Sequence, residues 1–214
     1  MAAISLPRVI EQVKLACEYH IEGKCEEAET MLLSIDHAAL KREYAESKKR
    51  TPKGSRSEKT IDTAKRLSRS ISEKTKLALF RRDHFICHYC GKPTIYTPTL
   101  RVLSLLYPSA LPYHRNGDFD IGHFIYWTHI ASPDHKDAHA HGGDSTLGNL
   151  VTSCYLCNHR KNSARHEEFG VNLLPEPTYA NWDGLSLLYQ NLYPLFPDAS
   201  LSGTLRDAYR AVSQ

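Results

Sequence analysis

The chain has 214 residues, 41% of them apolar, and a formal net charge of +3. That length fits one mid-sized domain with an appendage or two small ones, with enough apolar content for a packed core. It contains no run of eighteen apolar residues, and its opening, MAAISLPRVIEQVK, lacks the basic start and apolar block of a secretory signal. The expectation is a cytoplasmic protein without a membrane partner.

Residues 5–20 place Val9, Ile10, Val13 and Cys17 at helical spacing behind Pro7, which predicts an amphipathic helix. Glu22–Gly23 is a turn signal, and residues 24–46 again read as helix. The segment EGKCEEAETMLLSI resembles a tetratricopeptide-type helix, but no second copy follows at a fixed period. Residues 1–46 are therefore expected to form a helical hairpin or small bundle.

Residues 47–76 read as a basic linker followed by a helix. Between residues 47 and 82 there are thirteen Lys/Arg against three acids, a local net of +10 that leaves −7 on the rest of the chain. Such asymmetry suggests a polyanionic partner, although a solvated helix face carries the same pattern. Apolar residues at 61, 64, 67, 71 and 78 give a helical stripe, with a capping box proposed at Ser70–x–x–Glu73. The C-terminal part, 169–214, contains LSLLYQNLYPLF and reads as a structural wrap on the core.

Four of the six cysteines form two CxxC pairs, Cys87–Cys90 and Cys154–Cys157; Cys17 and Cys25 stand apart in the helical region. Two such pairs supply the four thiolates of a tetrahedral structural Zn²⁺ site. Gly91 follows the first pair, as a knuckle turn requires, and His88 is a weaker rival ligand. The sixty-three residues between Cys90 and Cys154 imply a substantial insert.

Around these pairs the sequence resembles the HNH endonuclease family. The resemblance rests on Phe80-Arg-Arg-Asp-His-Phe-Ile-Cys-His-Tyr-Cys-Gly, on Asp134-His135 followed by Gly142-Gly143, and on Asn149-Leu150, Cys154-x-x-Cys157-Asn158 and Lys161. It covers about residues 77–165, and the nuclease domain is expected over 77–168. The implied fold is α+β: a ββα-metal, treble-clef-like core, with the helical region before it and the wrap behind. Asp134 and His135 would lie on the first strand, Gly142–Gly143 in the loop, Asn149 before the helix and Asn158 on it.

The resemblance also implies roles. His135 would be the general base that activates water, since imidazole titrates near neutral pH. Asp134 and Asn158 would hold one catalytic divalent ion, Mg²⁺ or Mn²⁺, through hard oxygen donors. Asn149 would orient the loop carrying His135. Asn162, four residues beyond Asn158, is a further candidate ligand. Strand alternation separates the side chains of Asp134 and His135, so a bend is expected between them. Lys136-Asp137-Ala138 departs from the apolar residue and Pro usual after Asp-His. A second register, Asp120-Ile-Gly-His123, resembles members with Gly-His in place of Asp-His.

Arg81, Arg82, Arg160, Lys161, Lys65, Arg66 and Arg69 are the candidate nucleic-acid contacts, with Lys48, Lys49 and Arg50 on the basic arm. Arg81–Arg82 would equally cap the helix before the knuckle. The expected function is metal-dependent hydrolysis of phosphodiester bonds in DNA, double-stranded by preference. The alternatives are a non-catalytic zinc-binding module for nucleic acid or protein, and an RNA-cleaving enzyme on the same site.

Overall fold

The computed structural model describes residues 5–49, 70–164, 169, 179, 181–196 and 203–214. The anticipated helical stripe from Ile61 to Leu79 lies outside the described residues up to residue 69, and with it Arg50, Lys65, Arg66 and Arg69.

The first helix, α1 (Arg8–Ile21), buries Ile10, Val13, Ala16 and Cys17 along one stripe and packs on α2 (Cys25–Leu33). Gly23 makes the turn between them at φ +79°, where a side chain would be strained. The stretch expected as one helix over 24–46 is in fact two. Ser34 ends α2, and the Asp36 carboxylate accepts the Ala39 amide at 2.8 Å, starting α3 (His37–Lys49) afresh. Gln12, buried on α1, fixes this corner by donating to the Ser34 carbonyl and hydroxyl at 2.9 and 2.7 Å.

Helix α4 (Glu73–Arg82) has its cap two residues later than anticipated: Ser72, not Ser70, accepts the Thr75 amide. Ser72 is the last extended residue before the helix, so its hydroxyl alone reaches that amide. Beyond α4 the chain reverses through His84 and Phe85, both at φ +53°. The reversal buries Phe85 against Phe80 and Tyr96. Gly184 lies directly on that ring, and a Cβ there would come within 2.1 Å of it.

The insert between the two cysteine pairs is itself structured. Helix α5 (Thr97–Leu106) and the single turn α6 (Ile125–Thr128) bury Leu100, Val102, Leu103, Ile125, Tyr126 and Trp127. They lead into the antiparallel hairpin β1 (Ala131–His135) and β2 (Leu150–Cys154), which runs directly into α7 (Tyr155–Lys161). Asn149 therefore lies before the helix with β2 in between. Pro133 pairs with Thr152, whose N–H and C=O both point away from β1, to Asp83 and to the His88 amide. The missing proline N–H costs nothing at that position.

Helix α8 (Ser186–Leu192) packs on α1 and α5, and α9 (Gly203–Val212) packs on α4. The N-terminal helices, the hairpin unit and the C-terminal extension thus contribute to one continuous core. Among the described residues no helix is long and apolar enough to cross a membrane.

Asp83 ties α4 to both halves of the cysteine site. Its carboxylate accepts from Arg82 Nε at 2.7 Å and from the Thr152 amide at 2.7 Å, and lies 3.3 Å from His88 Nε2. Burial alone would raise its pKa, but the bonds from His88, Arg82 and Thr152 outweigh that and hold the carboxyl well below the usual range. Burial also lowers His123 to about 4 and His129 to about 3.

These shifts make folding acid-sensitive. Imidazoles titrate near 6.5 in the unfolded chain, so below that value the unfolded state takes up protons that the folded state refuses. Stability is then full above pH ~6.5 and falls toward pH 4 by roughly 1.4 kcal/mol per pH unit for each histidine. The Asp83 contribution is present above pH ~3.9 and is lost as pH falls further. Urea midpoints at pH 5 should therefore lie below those at pH 7; equal midpoints would contradict neutral burial of both imidazoles. Asp83→Ala should lose about 2 kcal/mol at pH 7 in the same measurement, through the unsatisfied Thr152 amide and the broken ion pair.

Candidate active site and zinc centre

The four sulfurs of Cys87, Cys90, Cys154 and Cys157 lie within 4.8 Å of one another, with Cys90 and Cys154 3.9 Å apart. A Zn–S bond of about 2.3 Å sets a tetrahedral S···S edge of about 3.8 Å. The donor set and spacing therefore fit Zn²⁺. The first pair sits on a tight turn closed by Cys87 N–H to the Lys92 carbonyl and Gly91 N–H to the Cys87 carbonyl, with Gly91 at φ +69°. Cys154 ends β2 and Cys157 lies in the first turn of α7. His88 is turned toward Asp83 and stands outside the sulfur quartet. Bound Zn²⁺ would contribute on the order of 10 kcal/mol to folding. Serine at any one of the four positions should abolish stoichiometric zinc in elemental analysis and the cooperative thermal transition followed by circular dichroism.

Across β1 the side chains of Asp134 and His135 part company. The β1–β2 register is unbroken over five pairs, so the bend expected between them is absent and alternation prevails. Asp134 is buried, 4% exposed, in the seam between β1 and α7. Its Oδ2 accepts the Tyr89 hydroxyl at 2.6 Å and lies 3.2 Å from Lys161 Nζ. Burial raises its pKa, and Tyr89 and Lys161 oppose the rise. From α7, Asn158 Nδ2 donates to Ser132 Oγ at 2.7 Å and to the Pro133 carbonyl at 3.2 Å. Asp134 and Asn158 thus face one seam, and their oxygens are hard donors of the kind Mg²⁺ or Mn²⁺ takes.

His135 is the last residue of β1, half-buried at the mouth of the hairpin loop. Its Nε2 lies 3.1 Å from Ser145 Oγ, which is 3.2 Å from His139 Nε2, and the two imidazole centroids are 4.4 Å apart. Asn149 braces the loop. Its Oδ1 accepts the Asp137 amide, and its Nδ2 donates to the carbonyls of Asp137 and Asp144, all at 2.8–3.0 Å. The two glycines serve that brace differently. Gly142 takes φ +85°. A Cβ on Gly143 would strike the Asp137 carbonyl oxygen at 1.8 Å and the Asn149 amide at 2.9 Å.

Other sequence candidates fall elsewhere. His123 is buried beside His37 and Phe124, its Nδ1 accepting the Ile125 amide, while Asp120 lies exposed in the preceding turn. The Asp120/His123 register therefore places no imidazole at a solvent-facing site. Asn162 is not on the helix face: α7 ends at Lys161, and Asn162 at φ 52°, ψ −121° turns away. Lys161 is not a surface contact for nucleic acid as drawn, because it is 1% exposed and its ammonium is engaged internally. Arg82 spans to the carbonyls of Leu147 and Leu150 and to Asp83, so it staples the hairpin to α4. Arg81 is exposed, and Arg160 lies over the Phe169 ring at 5.5 Å.

Tyr89, His139 and Ser145 were missed by the sequence reading as partners of the site. Tyr89 sits inside the first CxxC pair, and nothing local to it points to an acid forty-five residues on. A cleft of about 390 Å³ lined by Lys76, Tyr96, Arg101 and Tyr113 reaches Ala131 and Pro133 on β1 and contains none of the expected catalytic residues.

Residues 122–164 match the family model described as HNH endonuclease. That segment is similar to an HNH domain. The match runs from Gly122 through the hairpin and α7, so it includes both candidate histidines, His123 and His135, and the second cysteine pair, while Asp120 and the first pair lie upstream. No curated protein and no solved structure gives a significant match.

Proposed function

We propose that this HNH protein is a divalent-metal-dependent endonuclease that hydrolyses phosphodiester bonds in DNA, with His135 as general base. The observation that carries the reading is the arrangement at the hairpin mouth. His135 stands half-buried on a loop braced by the three bonds of Asn149, one residue from an acid that shares a seam with Asn158.

In this reading Asp134 and Asn158 would hold the ion, which would supply charge neutralisation at the phosphate and the leaving oxygen. Water attacks phosphorus as His135 takes its proton. The P–O3′ bond breaks, and the departing oxygen is protonated, leaving a 5′-phosphate and a 3′-hydroxyl. Ser145 holds the imidazole edge, and the Asn149 brace fixes the loop so that His135 need not be ordered during the reaction. Arg81 and Arg160, with the exposed Lys48 and Lys49 at the end of α3, would supply phosphate contacts, and such contacts favour salt-sensitive binding without base selectivity.

One observation favours a rival, a zinc-stapled binder without turnover: the Asp134 carboxylate is already satisfied by Tyr89 and Lys161. Cleavage of supercoiled plasmid and of a labelled RNA, each with and without Mg²⁺ or Mn²⁺, separates these functions. His135→Ala should slow metal-dependent plasmid cleavage at least ~10²-fold, and Asn149→Ala about tenfold through loop disorder. His123→Ala should leave the rate per folded molecule intact. Loss of cleavage in folded His123→Ala with normal rates in His135→Ala would overturn the assignment, and binding without cleavage would favour the rival.

A further inference from the structure

We infer that Lys161 is an internal stand-in for the catalytic cation: its ammonium neutralises Asp134 in the ion-free protein, and a divalent ion reaches Asp134 only by displacing it. This rests on the reading that Asp134 and Asn158 are the ion's ligands.

The ammonium is fully engaged where it sits. Lys161 Nζ lies 3.2 Å from Asp134 Oδ2 and 3.5 Å from Oδ1, and donates to the His135 carbonyl at 2.6 Å. The ammonium therefore has one carboxylate counter-ion and one close carbonyl acceptor, and the residue is 1% exposed. The Tyr89 hydroxyl takes the remaining approach to Oδ2. Asn158 and Lys161 lie one turn apart on the face of α7 that covers β1, the first on Ser132 and Pro133, the second on Asp134 and His135. A divalent ion on Asp134 and an ammonium on the same carboxylate would repel strongly where both groups are buried.

The exit route is built into the helix end. Lys161 is the last residue of α7, before the turn at Asn162. Its four-carbon stem can rotate the ammonium to solvent while the backbone stays in place. Released, the charge remains tethered beside the ion and can meet the substrate phosphate. The same lysine thus serves a buried structural role without the ion and a phosphate-facing role with it. Because the ammonium also holds the His135 carbonyl, ion entry releases the backbone of the proposed base.

The test uses the full-length, zinc-loaded protein and Mn²⁺ as the probe. Lysine acetylation by a small acylating reagent is mapped by mass spectrometry, with exposed Lys41 as internal control. Lys161 should be protected without Mn²⁺ and become ~tenfold more reactive with it, while Lys41 stays constant. In parallel, Mn²⁺ binding is titrated by the electron paramagnetic resonance of the free ion, with Asp134→Asn as blank. Lys161→Met should bind Mn²⁺ ~tenfold more tightly than wild type, since no ammonium competes. Asp134-dependent Mn²⁺ binding with Lys161 still protected would overturn the exchange and leave the metal centre standing. Absence of Asp134-dependent binding in both wild type and Lys161→Met would overturn both. The acetylation arm needs no variant, so a poorly folding Lys161→Met does not weaken the test.

Discussion

Everything at the site hangs on the meeting of two CxxC turns that are far apart in sequence. Bringing Cys87 and Cys90 to Cys154 and Cys157 closes a loop that contains α5, α6, β1 and the His135 loop. Closing such a loop has an entropic cost that four neutral thiols would not offset, whereas four metal–thiolate bonds would. The protein supports the closure with ordinary hydrogen bonds. The His88 amide donates to the Thr152 carbonyl, and Asp83 receives the Thr152 amide, so the first turn borders β2 almost as a third strand.

That closure gives the two strand neighbours their different environments. Alternation sends Asp134 beneath α7, where its charge must be matched by protein groups, and leaves His135 at the loop, where it can meet solvent. Tyr89, carried in by the cysteine turn, and Lys161, carried in by the helix, match the buried charge from two sides. The acid is held by elements that the four cysteines bring together. Its surroundings and the sulfur cluster are therefore one assembly.

Much of this was legible in the sequence because the chemistry is local. CxxC spacing, the Asp-His step, the Gly-Gly pair and the Asn before Cys154 are short motifs whose geometry is set within a few residues. The helical stripe of α1 was legible for the same reason, since Ile10, Val13 and Cys17 repeat at one period. What escaped depended on distant partners. The break at Ser34–Asp36 turns on a side-chain cap inside an unbroken helical composition, and the switch of the cap from Ser70 to Ser72 turns on which serine is last to be extended. Lys161 looked like a surface cation because its sequence neighbours are basic and polar. Only the fold shows that its stem runs inward to an acid on another element.

The helices at the two ends of the chain lean on each other through α1 and α8, while α4 leans on α9. The unit built around the four cysteines is thus not a cassette that can be cut out and carried elsewhere. Trimming at its margins would strip the cover from Leu100 and Leu103 on α5 and from Leu77 and Phe80 on α4, leaving an oily flank in water. In this protein the extensions act as the outer wall of the hairpin and cysteine unit, and any transfer of that unit to another scaffold would have to rebuild the wall.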